Sequence, residues 1–214
     1  MDAGRRGEAR YPLELDSLVY NSKYLPEGHP LSDERKSAIT FKHLLTHTAG
    51  LPSGSDKYDS PCFDFIDFTV GRCTAYPQSN HLLFDPGCGY EYSNIGYNHL
   101  SVISPHITGK PLYKDIEEGI WSRIGVESAD WPERTGAFIR NGLVYQPAGS
   151  GPGMTTLDLA RFAYLLLHKG QWEGHCIVPE WYLRTALQID PINNSQPEYY
   201  GLGFYSNTTY QLAA

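Results

Sequence analysis

From Ile39 to Pro52 the chain reads ITFKHLLTHTAGLP, and this segment constrains the fold more than any other. Thr40 is a good N-cap residue, and the residues after it carry apolar side chains at helical spacing. Gly50 can end a helix, and Pro52 cannot continue one. The segment therefore predicts a short helix over Phe41 to His47, followed by a turn.

The two histidines of this segment, His43 and His47, stand four residues apart, so both can lie on one face of the predicted helix. Zinc proteases use that spacing, but they need a Glu directly after the first His, and Leu44 occupies that position. The sequence indicates no third ligand. We therefore expect no metal and no cofactor, and we predict that the two imidazoles hydrogen-bond to the backbone and hold the turn at residues 48–50.

Apolar periodicity and capping residues predict four more helices and one strand. The helices are expected at about residues 94–107, 112–124, 157–167 and 179–187, and the strand at residues 199–205. Pro105 lacks a backbone donor, so the last turn of the first of these helices should kink or end early. Residues 51–90 show weak periodicity, and a connection of that length is usually functional or contains unrecognised structure. The chain is therefore expected to be mainly helical with few strands.

Composition and charge exclude several functional classes. The chain has 214 residues, with 17 Lys and Arg against 24 Asp and Glu, and a formal net charge of −7. Because basic residues are not clustered, we expect no nucleic-acid partner. All apolar runs are short, so no transmembrane segment is expected. The first ten residues lack the apolar region of a secretory signal, and the sequence leaves the localisation open.

The four cysteines do not form a metal or redox motif, because no two of them have C-x-x-C spacing. They are Cys62, Cys73, Cys88 and Cys176. Cys62 and Cys73 could form a disulfide if the compartment is oxidising.

The tripeptide YSN at residues 92–94 has catalytic potential. A phenol acts as a general base only when a neighbouring cation favours the tyrosinate form. An Asn two residues later, at the start of a predicted helix, can orient a substrate amide or a catalytic Lys. The same pattern recurs at residues 205–207, so the context of the motif has to distinguish the two copies.

The segment at residues 39–52 resembles the I-T-hydrophobic-basic-H-L-L-T-H-T-S-G-L-P segment of the β-lactamase-related serine hydrolases. This family includes class C β-lactamases, penicillin-binding proteins, D-alanyl-D-alanine carboxypeptidases and related esterases. Other segments of the chain match the family in order and in spacing, and together they cover about residues 13–205. They are FDPG at 84–87, YEYSN at 90–94, TGKPL at 108–112, MTTLDLARF at 154–162, VPEW at 178–181 and YGLGF at 200–204.

The resemblance implies an α+β fold of the β-lactamase/transpeptidase type, truncated here to mostly the helical subdomain with few strands. In this family a Ser-x-x-Lys, a Tyr-x-Asn and a Lys-Thr-Gly or His-x-Gly strand surround one pocket. The second motif falls on Tyr92 and Asn94, which become the candidate catalytic residues. The family's glycine-rich stretch borders the pocket, so Gly151 and Gly153 are candidate substrate-binding residues, with a simple turn as the alternative.

The other two motifs are missing from the sequence. The residue three positions before a Lys is never Ser, so no Ser-x-x-Lys exists. In relatives this motif lies upstream of the segment that resembles residues 13–26, so it is expected before residue 1. The His-x-Gly at 168–170 ends a predicted helix instead of lying on a strand, so the third motif is expected after Ala214. We therefore expect residues 1–214 to be a partial β-lactamase-related domain.

By resemblance, the parent protein is expected to transfer acyl groups through a serine. Its substrate would be a β-lactam, a D-Ala peptide or a small ester, and this chain alone would be an inactive fragment. The alternative is a non-catalytic pseudoenzyme that serves as a binding or scaffold protein. Relatives are often periplasmic or secreted.

Overall fold

The protein is a mainly helical α+β structure with two small hairpins. The computed structural model describes residues 14–53, 64–74, 77, 80–127, 129–130, 138–149, 151–188, 192 and 200–205. The α-helices are α1 (Phe41–Leu45), α2 (Phe65–Val70), α3 (Asn94–Thr108), α4 (Leu112–Ile116), α5 (Thr156–Leu167) and α6 (Glu180–Ala186). The strands β1 (Phe138–Arg140) and β2 (Leu143–Tyr145) form one antiparallel hairpin, and β3 (Gln171–Trp172) and β4 (His175–Cys176) form another. The sequence-based expectation of a mostly helical fold with few strands is confirmed.

Helix α1 begins where predicted because Thr40 caps it. The Thr40 hydroxyl accepts a hydrogen bond from the His43 backbone N–H (3.2 Å), and His43 Nδ1 accepts one from the Thr40 N–H (3.2 Å). These two bonds satisfy donors that have no partner within the helix. Helix α1 ends at Leu45, however, and His47 has a left-handed φ of 59°. The prediction that the helix reaches His47 and places both histidines on one face is therefore wrong.

Helix α3 is the longest element and packs against α1, α2, α4 and β2. It begins at Asn94, as predicted, and continues to Thr108, where Gly109 ends it with a φ of 74°. Pro105 lies inside the helix, so the expectation of an early end is wrong. The Pro105 side chain is buried and its carbonyl accepts from the Gly109 N–H (3.0 Å). Packing of this last turn outweighs the single hydrogen bond that proline removes.

The helix predicted at residues 112–124 consists of three helical pieces. Helix α4 is followed by a π-helix at Glu117–Trp121 and a 3₁₀ helix at Ser122–Ile124. The apolar stripe of Ile116, Ile120 and Ile124 nevertheless packs on one apolar cluster, as its spacing indicates. The apolar stripe determines which side of this segment faces the core, but it does not determine whether the backbone forms an α-, a π- or a 3₁₀ helix.

Helices α5 and α6 lie close to their predicted positions. The Thr155 hydroxyl caps α5 by accepting from the Asp158 N–H (3.2 Å). Helix α6 starts directly after Pro179, whose fixed φ suits a helix start. It ends at Ala186, one residue earlier than expected.

Residues 200–205 form a turn, and the strand predicted there is wrong. Tyr200 and Tyr205 pair as an isolated antiparallel bridge, and the Gly201 N–H donates to the Phe204 carbonyl (2.9 Å). Gly203 reverses the chain with a φ of 82°, which a strand does not allow. The sequence also failed to predict α2, within residues 51–90, and both hairpins.

The apolar core consists of two clusters. The first surrounds α3 and includes Leu25, Ile39, Leu44, Phe65 and Val102. The second lies under α5 and contains Trp121, Ile124, Val126 and Leu165. Within the described ranges, no helix combines the length and apolar character needed to cross a bilayer.

Cys73 is buried in the first cluster. Its suggested disulfide partner, Cys62, lies outside the described residues, so the Cys62–Cys73 pairing stays a prediction.

Candidate active site

The turn after α1 holds the loop that leads to Tyr92. Three backbone carbonyls of this turn accept hydrogen bonds from that loop. The His47 carbonyl accepts from the Glu91 N–H (3.0 Å). The Thr48 carbonyl accepts from the Gly87 N–H (2.8 Å), and the Gly50 carbonyl accepts from the Leu83 N–H (2.8 Å). A Cβ at Gly50 would lie 2.2 Å from the Phe84 carbonyl oxygen, and its φ is 77°, so only glycine permits this close pairing.

Tyr92 is exposed at the end of this loop, and the next residue anchors it. The Tyr92 side chain is 43% exposed. Ser93 is buried, its hydroxyl donates to the Pro52 carbonyl (2.7 Å), and its backbone N–H donates to His47 Nδ1 (3.1 Å). The middle residue of the Tyr-x-Asn motif is thus fixed on two sides, while the tyrosine side chain faces solvent.

Asn94 opens helix α3, and a second loop lies directly against it. A Cβ at Gly149 would be 2.6 Å from Asn94 Cβ. One turn along α3, the buried Asn98 accepts hydrogen bonds at Oδ1 from the N–H groups of Ala148 (3.0 Å) and Gly149 (3.1 Å). Ser101, nearly one further turn on, accepts at Oγ from the backbone N–H of Gln146 (3.1 Å). A polar stripe on α3 therefore holds residues 146–149 beside the candidate site.

Sequence analysis did not identify Asn98 or Ser101 as site residues. The available signal was their spacing from Asn94, which places three polar side chains on one face of a helix that is otherwise largely apolar. Their hydrogen-bond partners lie more than 40 positions away in the chain, so spacing alone could not name them.

The two candidate glycines occupy different settings. Gly151 is exposed, with open space where a side chain would be. Gly153 pairs with Asp130 through two backbone hydrogen bonds of 2.8 and 2.9 Å. Gly149 is the glycine of this loop that packs against Asn94. A substrate-binding role for Gly151 and Gly153 stays a prediction.

Four tyrosines surround the His47 ring, and we call them the tyrosine cluster: Tyr90, Tyr92, Tyr97 and Tyr200. The His47 ring centroid lies 4.2 Å from that of Tyr92 and 4.7 Å from that of Tyr200. Tyr205, of the second Tyr-x-Asn copy, lies nearly parallel to Tyr92 at 6.4 Å between centroids. The other two residues of that copy lie outside the described residues.

The hydroxyls of Tyr97 and Tyr200 tie the cluster to the end of α1. Tyr97 donates to the Leu45 carbonyl (3.1 Å), which also accepts from the Gly203 N–H (3.2 Å). The Tyr200 and Tyr97 hydroxyl oxygens are 3.0 Å apart, and Tyr200 is the donor because the Tyr97 proton is already used. Burial raises the pKa of both phenols, so both are neutral near pH 7.

The His47 side chain is buried within the tyrosine cluster. It is 2% exposed, and burial lowers its pKa to about 4, so the ring is neutral near pH 7. Its Nδ1 accepts from Ser93, whereas its buried Nε2 has no hydrogen-bond partner in the part of the chain that the structure describes. As predicted, His43 and His47 both bond to the backbone, but their partners are Thr40 and Ser93.

The structure contains a hydrogen-bonded serine–lysine pair, Ser32 and Lys36, but their separation in the sequence is not that of a Ser-x-x-Lys motif. Lys36 is fully buried, and its Nζ donates to Ser32 Oγ (2.7 Å) and to the Val70 carbonyl (2.9 Å). Ser32 in turn donates to the Asn80 carbonyl (2.8 Å). Burial lowers the Lys36 pKa to about 8. Lys36 and Ser32 therefore each bind a backbone carbonyl of another segment, and these bonds hold the segments together.

The space near Tyr92 limits where a substrate could lie. A shallow recess is lined by residues that include His43, His47, Glu91 and Ser93, and it has no room for a molecule the size of water. This recess therefore cannot hold a substrate, and the Tyr92 ring does not line it. No group of three His, Cys, Asp or Glu side chains that could hold a metal occurs among the described residues.

Comparison with known proteins identifies the family of this chain. The profile of the family described as Beta-lactamase matches residues 6–211. The chain belongs to the β-lactamase family. Esterase EstB of Burkholderia gladioli is 31% identical over 140 residues, which are 59% of this chain and 35% of that protein. Protein flp of Staphylococcus aureus (strain COL) is 25% identical over 140 residues, 65% of this chain and 27% of that protein.

Solved structures of β-lactamase-like proteins show the same fold. A D-stereospecific amidohydrolase from Streptomyces sp. matches with a TM-score of 0.63 and 21% identity, over 89% of this chain and 63% of that chain. A penicillin-binding protein from Bacillus halodurans matches with a TM-score of 0.59 and 20% identity, over 90% of this chain and 62% of that chain. This member of the β-lactamase family therefore spans about a third, or less, of the curated relatives above and about three fifths of these structures.

Proposed function

We propose that this chain supplies the Tyr92–Asn94 wall of a serine acyl-transfer hydrolase. The observation that carries the proposal is the arrangement of the motif. Tyr92 is exposed, Ser93 is buried and anchored, and Asn94 begins α3 beside Gly149. An enzyme that uses a tyrosine as a proton shuttle needs this combination of a rigid backbone and an accessible phenol.

In the proposed reaction, the oxygen of a serine bonds to the carbonyl carbon of the substrate, and the serine proton passes to the base. The carbon–oxygen or carbon–nitrogen bond then breaks, and the leaving group takes up that proton. Water hydrolyses the acyl-serine ester and restores the serine. Tyr92 would carry the proton, and Asn94 would orient the substrate carbonyl or amide.

The nucleophile is proposed to come from sequence outside residues 1–214, because the chain contains no Ser-x-x-Lys. The lysine of that motif would also be the cation that favours the tyrosinate form of Tyr92. A site completed in this way would make residues 1–214 part of a larger catalytic domain.

The substrate class is proposed from the relatives together with the exposed surface at Tyr92. The relatives include an esterase, a D-stereospecific amidohydrolase and a penicillin-binding protein. Their shared chemistry is attack on a carboxylic ester, an amide or a β-lactam. We propose a substrate of this class, namely a small ester, a D-Ala peptide or a β-lactam.

Labelling with a fluorophosphonate probe, followed by intact mass, tests the missing nucleophile. The 214-residue chain should show no stoichiometric adduct, because it lacks an activated serine. A Ser32→Ala variant is the control, since Ser32 contacts a lysine. An adduct that disappears in this variant would contradict the proposal and identify Ser32 as the nucleophile.

The natural reading frame, extended beyond both ends of this chain, tests the role of Tyr92. This longer polypeptide should form the adduct, and Tyr92→Phe should slow acylation by about 10²- to 10⁴-fold. Tyr113→Phe changes a partly exposed tyrosine on α4 and should leave the rate unchanged. Equal rates for wild type and Tyr92→Phe would remove Tyr92 from the mechanism.

A non-catalytic binding protein is the second candidate. It is favoured by the absence of Ser-x-x-Lys together with the preserved anchoring of the motif. Such a protein would unfold cooperatively as the 214-residue chain and would bind a non-reactive ester or lactam analogue. Titration calorimetry of the chain with such an analogue distinguishes the two candidates, because an incomplete site should not bind it, even where the chain unfolds cooperatively.

A further inference from the structure

We propose that His47 is a positioning residue that holds the backbone on both sides of Tyr92. This inference rests on the proposed function only for its catalytic consequence. Its structural part concerns three residues whose contacts are described, and it can be tested without a substrate.

His47 accepts hydrogen bonds from the backbone N–H groups of the two residues next to Tyr92, Glu91 and Ser93. Its carbonyl accepts from the Glu91 N–H (3.0 Å), and its side-chain Nδ1 accepts from the Ser93 N–H (3.1 Å). One residue therefore holds the backbone at Glu91, before the tyrosine, and at Ser93, after it. The tyrosine ring lies 4.2 Å from the imidazole, between centroids, so the same residue also supports the side chain.

Two unfavourable features at His47 indicate that this contact serves more than stability. The residue has a φ of 59°, a left-handed backbone that is uncommon outside glycine, although His adopts it more often than most side chains, as Asn and Asp do. Its Nε2 is buried without a hydrogen-bond partner among the described residues. Strained backbone and unsatisfied buried donors cluster at functional sites, and here both occur in the residue that bonds to the catalytic motif.

The hydrogen bond to Ser93 determines the tautomer of His47. Since Nδ1 accepts from an N–H group, the neutral ring must carry its proton on Nε2. Protonation of Nδ1 would remove the acceptor and release Ser93. Burial lowers the pKa of this imidazole to about 4, which keeps the acceptor available at neutral pH.

The first test is a nitrogen NMR measurement on the 214-residue chain. A scalar coupling across the hydrogen bond should connect the Ser93 amide nitrogen to His47 Nδ1, and the Nε2 shift should be that of a protonated nitrogen. Absence of the coupling, or a proton on Nδ1, would overturn the proposal without any variant being made.

The second test compares two substitutions. In His47→Asn the side-chain oxygen takes the place of Nδ1, and Asn tolerates a positive φ. In His47→Gln the oxygen takes the place of Nε2 and cannot reach Ser93. Amide exchange at Ser93 should accelerate about tenfold in His47→Gln, as expected for loss of one hydrogen bond, and stay near the wild-type rate in His47→Asn.

Two controls separate a local effect from general destabilisation. Exchange at the Val102 amide, inside α3, reports unfolding of the helix as a whole and should not follow Ser93. His43→Asn changes the neighbouring histidine, whose Nδ1 accepts from Thr40, and should leave Ser93 protected. Equal acceleration at Ser93 and Val102, or equal effects of the Asn and Gln variants, would contradict a positioning role.

The extended polypeptide supplies the catalytic readout. His47→Gln should lower kcat for a small ester at least tenfold with little change in KM, and His47→Asn should restore most of it, since a displaced Tyr92 affects proton transfer more than binding. If the extended wild type forms no acyl-enzyme, the proposed function fails, whereas the NMR result for His47 still stands. If His47→Gln is fully active, His47 has no catalytic consequence.

Discussion

Gly149 and Asn94 lie closer together than any side chain at position 149 would permit. A Cβ there would be 2.6 Å from Asn94 Cβ and 3.2 Å from Asn94 Cα, so alanine would push the loop away from α3. Gly149→Ala should therefore lower the free energy of unfolding by about 1–3 kcal/mol, as overpacking usually does. Urea denaturation measures this difference.

Gly151→Ala is the matched control for this prediction, because nothing lies within 4 Å of a Cβ at that position. We expect its unfolding midpoint to equal that of the wild type. A Gly149→Ala variant as stable as Gly151→Ala would mean that the loop does not rest on Asn94.

At the level of single residues, the sequence indicates the Tyr-x-Asn motif but not the residues that hold it in place. Tyr92 and Asn94 were found from spacing and resemblance, and their use as catalytic residues stays a prediction. Asn98 escaped notice because its partners, Ala148 and Gly149, are brought to it only by the fold. The sequence did not predict the left-handed backbone of His47 either, because a histidine inside an apolar helical pattern indicates that the helix continues.

At the level of elements, buried Lys36 links the 3₁₀ helix at Glu34–Ala38 to the end of α2. Its pKa is about 8 in the folded protein and 10.5 as the reference for the unfolded chain. Between these values the unfolded chain binds more protons, so stability contributed by this group rises with pH. Below pH 8 Lys36 is charged in both states, and the full burial penalty is present.

The pH dependence of stability tests this link. From pH 7 to 10, the wild type should gain about 2–3 kcal/mol relative to Lys36→Met. The comparison cancels the contributions of the tyrosines, which are the same in both proteins. Lys169→Met removes an exposed lysine and should give a curve parallel to the wild type. If the stability of Lys36→Met changed with pH in parallel with that of the wild type, Lys36 would not be buried as a cation.

Elements that are defined by their own residues were predicted best. The Thr40 cap, the start of α3 and the position of α5 depend on neighbours within four positions. The π-helix at Glu117–Trp121 and the hairpins depend on contacts between distant segments. Short strands of two or three residues also carry too few side chains to show an alternation.

At the level of the whole molecule, helix α5 presents apolar side chains to solvent. Leu157, Leu159 and Leu167 are each more than half exposed, and Tyr164 is nearly so, whereas Asp158 is buried. Exposed apolar patches of this kind commonly mark a surface that another part of a structure covers. The proposed larger catalytic domain would account for this face.

Binding of an environment-sensitive apolar dye tests this interpretation. The 214-residue chain should bind the dye in its folded state, and Leu167→Lys should reduce the signal without lowering the melting temperature. Leu165→Lys places a charge in the second apolar cluster and should unfold the surrounding region. The extended polypeptide should bind less dye than the chain alone; equal binding would contradict the expectation that residues 1–214 are a partial domain.

The carbonyl oxygen of Leu45, which accepts from both Tyr97 and Gly203, also offers a spectroscopic handle. A peptide oxygen with two donors has a weakened C=O bond, so its stretching vibration falls to lower frequency. Loss of either donor, for example when a bound molecule displaces residues 200–205, would shift that band upward. An isotope label at this one peptide group would therefore report displacement of residues 200–205 as an infrared signal.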